Sequence, residues 1–318
     1  LMNRRDLFTY GAAAAALVPG LRIAPAQAAG HAATGIVAAR DIKVGDATVT
    51  ALSDGFLPIG PDNLIGIDAE GFSARMAQAY LGGEVHLTGV NAFMVENDGT
   101  RVLIDAGTGT AFGPALGHLG ATMAALGIDP ASIDTVCATH LHPDHIGGVL
   151  TEDGNPFSTA ALRVAKADLD FWTSEDIKRQ APEAVRGFFD MAVGAVAAFE
   201  DRVDAFEGEA DMGAGLTAMP LPGHTPGHSG YMLESGGDSL LLWGDIVHVG
   251  PVQFPQPEVT IGFDTDQPQA AATRARVLDM VATDRLRVAG AHISFPGAGY
   301  VEKAGDGYRF VAQAWQYS

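Results

Sequence analysis

The chain has 318 residues, 47% hydrophobic and 18% charged, so it can bury a sizeable core and is not a disordered chain. It carries 38 acidic residues against 19 basic ones, a net charge of −19 that repels phosphate backbones and argues against a nucleic-acid partner. The single cysteine, Cys137, rules out an intramolecular disulfide and a cysteine-based zinc site.

Taken in chain order, residues 1–28 read as an export signal. Arg4 and Arg5 form a twin-arginine pair, a weakly apolar run follows from Gly11 to Leu21, and Ala26-Gln27-Ala28 is a small-x-small cleavage site. Pro19, Gly20 and Pro25 would break a helix here, and the apolar run is too short to span a bilayer, so no stable membrane insertion is expected. The expected location is periplasmic or secreted. Removing this segment takes away three arginines and one aspartate and leaves −21 on residues 29–318, read as one domain.

Residues 30–40 are rich in Ala and Gly and read as a loose arm. Ala47–Leu52 reads as a strand ending in a Ser53-Asp54-Gly55 turn. Residues 72–81 fit a short helix. Val90–Val95 and Val102–Ile104 form a hairpin around Asn97-Asp98-Gly99, and residues 114–126 have helical spacing. Thr135–Thr139 is a short buried strand. A strand at 162–165 precedes the clearest helix, 183–200, with Val185, Phe188, Phe189, Ala192, Val193, Val196 and Phe199 on one stripe. Leu216–Met219, Tyr231–Leu233 and Leu240–Trp243 are strands, 268–282 a helix, and Arg287–Ala289 a last strand. That order suggests a layered α/β protein.

The chemistry concentrates after the strand at 135–139, in Thr139-His140-Leu141-His142-Pro143-Asp144-His145. Strand alternation points His140 and His142 the same way, and the turn at Pro143 swings Asp144 and His145 to a neighbouring position. Imidazole nitrogens in such a cluster suit Zn, Fe, Co or Mn. Further candidates sit at other strand ends: His224 in Gly223-His224-Thr225-Pro226-Gly227-His228, Asp245 after Trp243-Gly244, and His292 after Ala291.

In this order and spacing the motifs resemble the metallo-β-lactamase fold superfamily. The resemblance covers nearly all of residues 29–318 and implies an αβ/βα four-layer sandwich with two divalent metal ions at one edge, most simply zinc, with Mn, Fe or Co as alternatives. Carried over residue by residue, it gives His140, His142 and His224 to one metal and Asp144, His145 and His292 to the other, with Asp245 bridging. A water shared by cations roughly 3.5–4 Å apart has a lowered pKa. His228 is expected behind the ligands, holding its loop. Asp54 is a candidate carboxylate partner for a ligand imidazole. His248, three residues after Asp245, is a candidate pocket residue near a leaving group.

Further segments narrow the branch. Ala51-Leu52-Ser53-Asp54-Gly55, Phe112–Gly117, Asp170-Phe171-Trp172, Gly187-Phe188-Phe189, Val252-Gln253-Phe254 and Phe295-Pro296-Gly297 together resemble the methyl parathion hydrolase group, with its lactone and aryl-ester hydrolases. This implies an aromatic pocket of Phe112, Trp172 and Phe188 or Phe189, with core packing the competing role for Phe189. The expected activity is hydrolysis of small neutral lactones or aryl esters, with phosphotriesters as a second capacity. Alternatives are a dominant organophosphate triesterase, a β-lactamase, a glyoxalase II-like thioesterase and a non-catalytic metal-binding protein. A homodimer is one of the assemblies open to it.

Overall fold

Ala47, Val49 and Ala51 alternate with threonines at the start of Ala47–Ile59, Val90–Val95 is buried throughout in His86–Asn97, and these two stretches pair antiparallel over almost their whole length. The computed structural model describes residues 38–314; the export signal read at residues 1–28 lies outside the described residues. In chain order come β1 (Ala39–Val44), β2 (Ala47–Ile59), the two-residue β3 (Leu64–Ile65), α1 (Ala69–Gln78), β4 (His86–Asn97), β5 (Thr100–Ile104), α2 (Leu119–Ala125), β6 (Thr135–Cys137), the one-turn α3 (Pro143–Ile146), β7 (Ala161–Ala165), α4 (Lys166–Trp172), α5 (Glu175–Gln180), α6 (Glu183–Ala197) and β8 (Val203–Phe206). The second half holds β9 (Ala210–Gly213), β10 (Leu216–Pro220), β11 (Ser229–Ser235), β12 (Asp238–Leu242), α7 (Gly250–Gln253), β13 (Thr260–Ile261), α8 (Gln267–Asp284), β14 (Arg287–Ala289), β15 (Ala298–Ala304) and β16 (Gly307–Ala312).

Two seven-stranded sheets result, ordered β1-β2-β4-β5-β6-β7-β8 and β16-β15-β14-β12-β11-β10-β9, with β3 and β13 forming a small separate pair. Val49, Val95, Val102 and Ile104 of the first sheet meet Leu216, Tyr231, Leu233 and Leu242 of the second in one buried cluster, so the sheets pack face to face. The outer face of the first sheet buries Leu103, Val136 and Leu162 against Met123 of α2 and Phe189, Ala192 and Ala195 of α6. That of the second buries Leu241, Val288 and Val301 against Val277, Leu278 and Val281 of α8. The layers run helix, sheet, sheet, helix, as expected for an αβ/βα sandwich.

Several expectations are corrected locally. The chain does not turn at Ser53–Gly55; β2 runs on through a bulge there, with Gly55 at φ 128°. Ala39 and Arg40 belong to β1 and not to a loose arm. The helix read at 114–126 begins only at Leu119, where the amides of Gly117 before it and of Leu119 itself both donate to the Asp54 carboxylate. The Asp98-Gly99 turn forms as read, with both residues at positive φ.

Candidate metal centre

Each candidate ligand sits just past the end of a strand, on one edge of the sandwich. His140 and His142 follow β6, His145 lies in α3, His224 stands in the β10–β11 connection, Asp245 follows β12 and His292 follows β14. β6 and β12 each have a parallel neighbour, β5 and β14, and a crevice at the carboxyl ends of parallel strands is where such sheets display chemistry.

The side chains converge without a partner between them. His142 Nδ1 stands 3.0 Å from His224 Nε2, and His224 Nε2 stands 3.3 Å from Asp245 Oδ2. On the other side His145 Nε2 is 3.5 Å from Asp144 Oδ2 and 3.3 Å from Asp245 Oδ1. His292 Nε2 is 3.4 Å from Asp144 Oδ2 and 3.1 Å from Asp245 Oδ2. Four sets of three could each hold an ion, with ligand atoms within 4.8 Å of one another: His140, His142, His224; His140, His145, Asp245; Asp144, His145, His292; and His224, Asp245, His248. His140 Nε2, His145 Nε2 and Asp245 Oδ1 are buried with no hydrogen-bond partner. Buried lone pairs facing one another are costly unless a cation satisfies them. The donor set therefore fits a pair of divalent metals.

The far side of each ring is anchored. His145 Nδ1–H donates to Asp105 Oδ2 at 2.8 Å, and His224 Nδ1–H donates to Asp264 Oδ1 at 2.7 Å. His292 Nδ1–H donates to the Gly89 carbonyl at 2.8 Å. His140 Nδ1 lies 3.0 Å from Thr139 Oγ1, which in turn reaches Asp105. These bonds fix the tautomer that leaves Nε2 free to face the centre. His142 presents Nδ1 instead.

The electrostatics follow from burial. Burial opposes charge on every ring. On His140 and His142 it prevails and, with the neighbouring imidazoles, holds both well below the usual histidine range. On His145 the carboxylates Asp245, Asp144 and Asp105 outweigh it and hold the ring well above that range. On His224 hydrogen bonds to Asp245 and Asp264 outweigh it and push the ring up to about 9. Burial works to raise Asp245, but the surrounding imidazoles, His145 and His292 first, hold it well below the carboxylate range.

The remaining candidates separate by position. His228 Nδ1–H donates to the Leu221 carbonyl, and its Nε2 accepts the Asp245 N–H at 2.9 Å. Gly244 is required beside it, because its φ is 58° and a Cβ would stand 2.5 Å from His228 Nε2. His248 Nε2 lies 3.1 Å from Asp245 Oδ2, and its backbone N–H donates to Gln253 Oε1. Trp172 and Phe188 meet the His142 ring edge-on at 5.0 and 5.7 Å between centroids. Phe189 turns into the helix-layer core against Trp172, and Phe112 is half-buried on the loop before α2. Asp54 is not the partner of an imidazole: its carboxylate accepts from Thr108 N and Oγ1, Gly117 N and Leu119 N and so organises the loop before α2.

Sequence reasoning missed Asp105, Asp264 and Asp168. Asp105 had a signal, a lone acid ending the apolar run Val102–Ile104. Its φ of 61° is uncommon for a residue other than glycine, and strain of that kind clusters at functional sites. Asp264 and Asp168 lie in segments whose spacing says nothing of the centre.

The hydrolase AbOPH of the beta lactamase superfamily superposes with a TM-score of 0.85 at 29% identity, over 89% of this chain and 100% of that one. AidC, a dizinc quorum-quenching lactonase solved with a product, superposes with a TM-score of 0.82 at 22% identity, over 88% of this chain and 99% of that one. A Drosophila melanogaster protein, "Beta-lactamase-like protein 2 homolog", is 30% identical over 166 residues, 51% of this chain and 50% of that protein. The chain thus spans about half the length of that curated relative. The family model described as the metallo-beta-lactamase superfamily matches residues 87–292, a span that takes in all seven convergent side chains from His140 to His292. By that match and by its layered fold, the chain belongs to the metallo-β-lactamase superfamily.

Proposed function

We propose that this chain is a binuclear metal-dependent hydrolase of small neutral lactones or aryl esters, with phosphotriesters as a second capacity, in keeping with its likeness in sequence to the methyl parathion hydrolase group. The observation that supports it is the reach of Asp245. Its two oxygens lie within 3.3 Å of His224, of the set with His140 and His142, and of His292 and His145, of the set with Asp144. In this reading His140, His142 and His224 would hold one cation and Asp144, His145 and His292 the other, with Asp245 within reach of both. Two divalent cations so held would supply an activated water at neutral pH and polarise the substrate oxygen that gains charge.

The protein's own groups do the rest. His248 Nε2–H donates to Asp245 Oδ2 at 3.1 Å and fixes the position of that carboxylate. Asp144 has the more exposed side chain of the two site carboxylates, 13% against 2%, and is placed to accept a proton from attacking water and return it to the leaving oxygen. Trp172 and Phe188 wall the His142 side with apolar rings that exclude water and take an aryl group edge-on. The acidic surface favours neutral substrates over phosphate mono- and diesters.

The deciding measurement is kcat/KM for dihydrocoumarin, a phenyl ester, methyl paraoxon and nitrocefin on one metal-loaded preparation. The lactone or the ester is expected to lead. Methyl paraoxon leading both by more than about tenfold, some 1.4 kcal/mol in transition-state binding, would make the phosphotriester the main substrate; nitrocefin leading all three would sink the reading.

A further inference from the structure

Asp168 stands in the first turn of α4 with no exposure to solvent. Its Oδ2 accepts the Leu141 N–H at 3.0 Å, and its Oδ1 accepts the Gly227 N–H at 2.7 Å. Leu141 separates His140 from His142, and Gly227 lies between His224 and His228. One carboxylate therefore ties together the two loops that carry His140, His142 and His224. The approach is close: a Cβ on residue 227 would stand 2.5 Å from the Asp168 backbone nitrogen, so only glycine lets the second loop reach the carboxylate. Four residues on, the same helix presents Trp172 to the edge of the His142 ring.

An ionised carboxylate suits this place because both oxygens only accept; asparagine would aim an N–H at one of the two amides. Burial pushes Asp168 up to about 6 against the pull of the Gly227 and Leu141 amides, so it is largely ionised at neutral pH. With its pKa raised from an unfolded value of about 4, the folded chain loses stability as pH rises from about 4 to about 6.

We infer that Asp168 is a positioning residue that sets the spacing of the His140–His142 loop against the His224 loop, and so governs the cation held by these three imidazoles and not its neighbour. The inference rests on the two-cation reading above. Of the other set, His145 and His292 take their anchors elsewhere, from Asp105 and from the Gly89 carbonyl.

The test strips wild type and Asp168→Asn of metal and titrates each with Zn²⁺ against a chromophoric chelator, and with Co²⁺ by its visible absorption. Asp168→Asn should bind one of the two equivalents about 10- to 100-fold more weakly, leave the other unchanged, and lose the Co²⁺ band of that one site. Two equivalents held as in wild type, or both weakened alike, would overturn the inference, the second outcome marking a general loosening. Should the variant not fold, amide hydrogen exchange on the loaded wild type decides. Leu141 and Gly227 amides should exchange with the core; exchange as fast as surface loops overturns the clamp. A wild type that holds no second cation sinks the functional reading and this inference together.

Discussion

The loop from Thr139 to Gly148 and the three connections bearing His224, Asp245 and His292 furnish one centre by opposite means. The first packs three imidazoles and a carboxylate into six residues, so local geometry fixes their spacing, with a short helix, α3, bringing the His145 ring to 4.1 Å from that of His140. The others come from strand ends far apart in sequence, and each needs its own anchor: Asp264 behind His224, the Gly89 carbonyl behind His292, and His228 and His248 on either side of Asp245. In the contiguous motif the backbone sets the spacing, and Asp105 and Asp168 lock it with buried hydrogen bonds. A dispersed one is held by buried hydrogen bonds that must all be satisfied at once.

The largest expected effect comes where the two regions meet. Asp245→Ala should lose both metals and nearly all activity together, because it leaves two cations facing each other without a shared anion and strands His248 and His292. Metal analysis of the purified variant checks this. Two metals retained per chain would show that the contiguous loop and the histidines suffice, and that Asp245 does not bridge.

A smaller pair of effects separates the regions. Asp105→Asn should loosen the cation held with His145, and Asp264→Asn the one held with His224, each by about 10- to 100-fold in affinity. Asp105 also reaches His140 through Thr139, so its variant should touch both sites while that of Asp264 touches one. Equal effects of the two variants in a Zn²⁺ titration would remove the distinction. Smaller still, Trp172→Ala should raise KM for aryl substrates severalfold while metal content holds, since the ring meets His142 by its edge only. Trp172 also lies in the helix-layer core beside Phe189, and a variant that fails to fold would give it to packing alone.

How much was legible divides along the same line. The contiguous motif announces itself because several metal-binding residue types in six positions are improbable for any other use. His224, Asp245 and His292 could be found only by their order and their strand-end settings. Their anchors could not be read: Asp264 is one of two acids in Phe263–Asp266, and Asp168 looks like an ordinary first-turn helix acid. Most strands and both long helices were readable from periodicity. The hairpin of β15 and β16 was not, because exposed Glu302, Lys303 and Arg309 dilute its apolar alternation. The bulge at Ser53–Gly55 mimicked a turn, since Ser-Asp-Gly serves both.

A pH dependence at His224 sharpens the same comparison from the side of the dispersed region. In the metal-free protein His224 is raised to about 9: burial lowers it, but Asp245 and Asp264 outweigh that loss. A histidine raised in the folded state adds stability that is fully present below its unfolded value, about 6.5, and is lost as pH climbs through 9. Taken alone the shift is worth ~3 kcal/mol, an upper bound because neighbouring imidazoles titrate with it. Metal binding runs the other way, since a ligand imidazole must give up its proton first. The melting temperature of metal-free protein should therefore fall between pH 6.5 and 9 while the loaded protein holds or gains, so the gap between them widens. Asp264→Asn removes one of the two carboxylates that raise His224, and calorimetry should show the widening reduced but not abolished. A gap that stays constant across this range in wild type would mean that His224 carries no proton in the metal-free protein, and that Asp264 orients the ring without charging it.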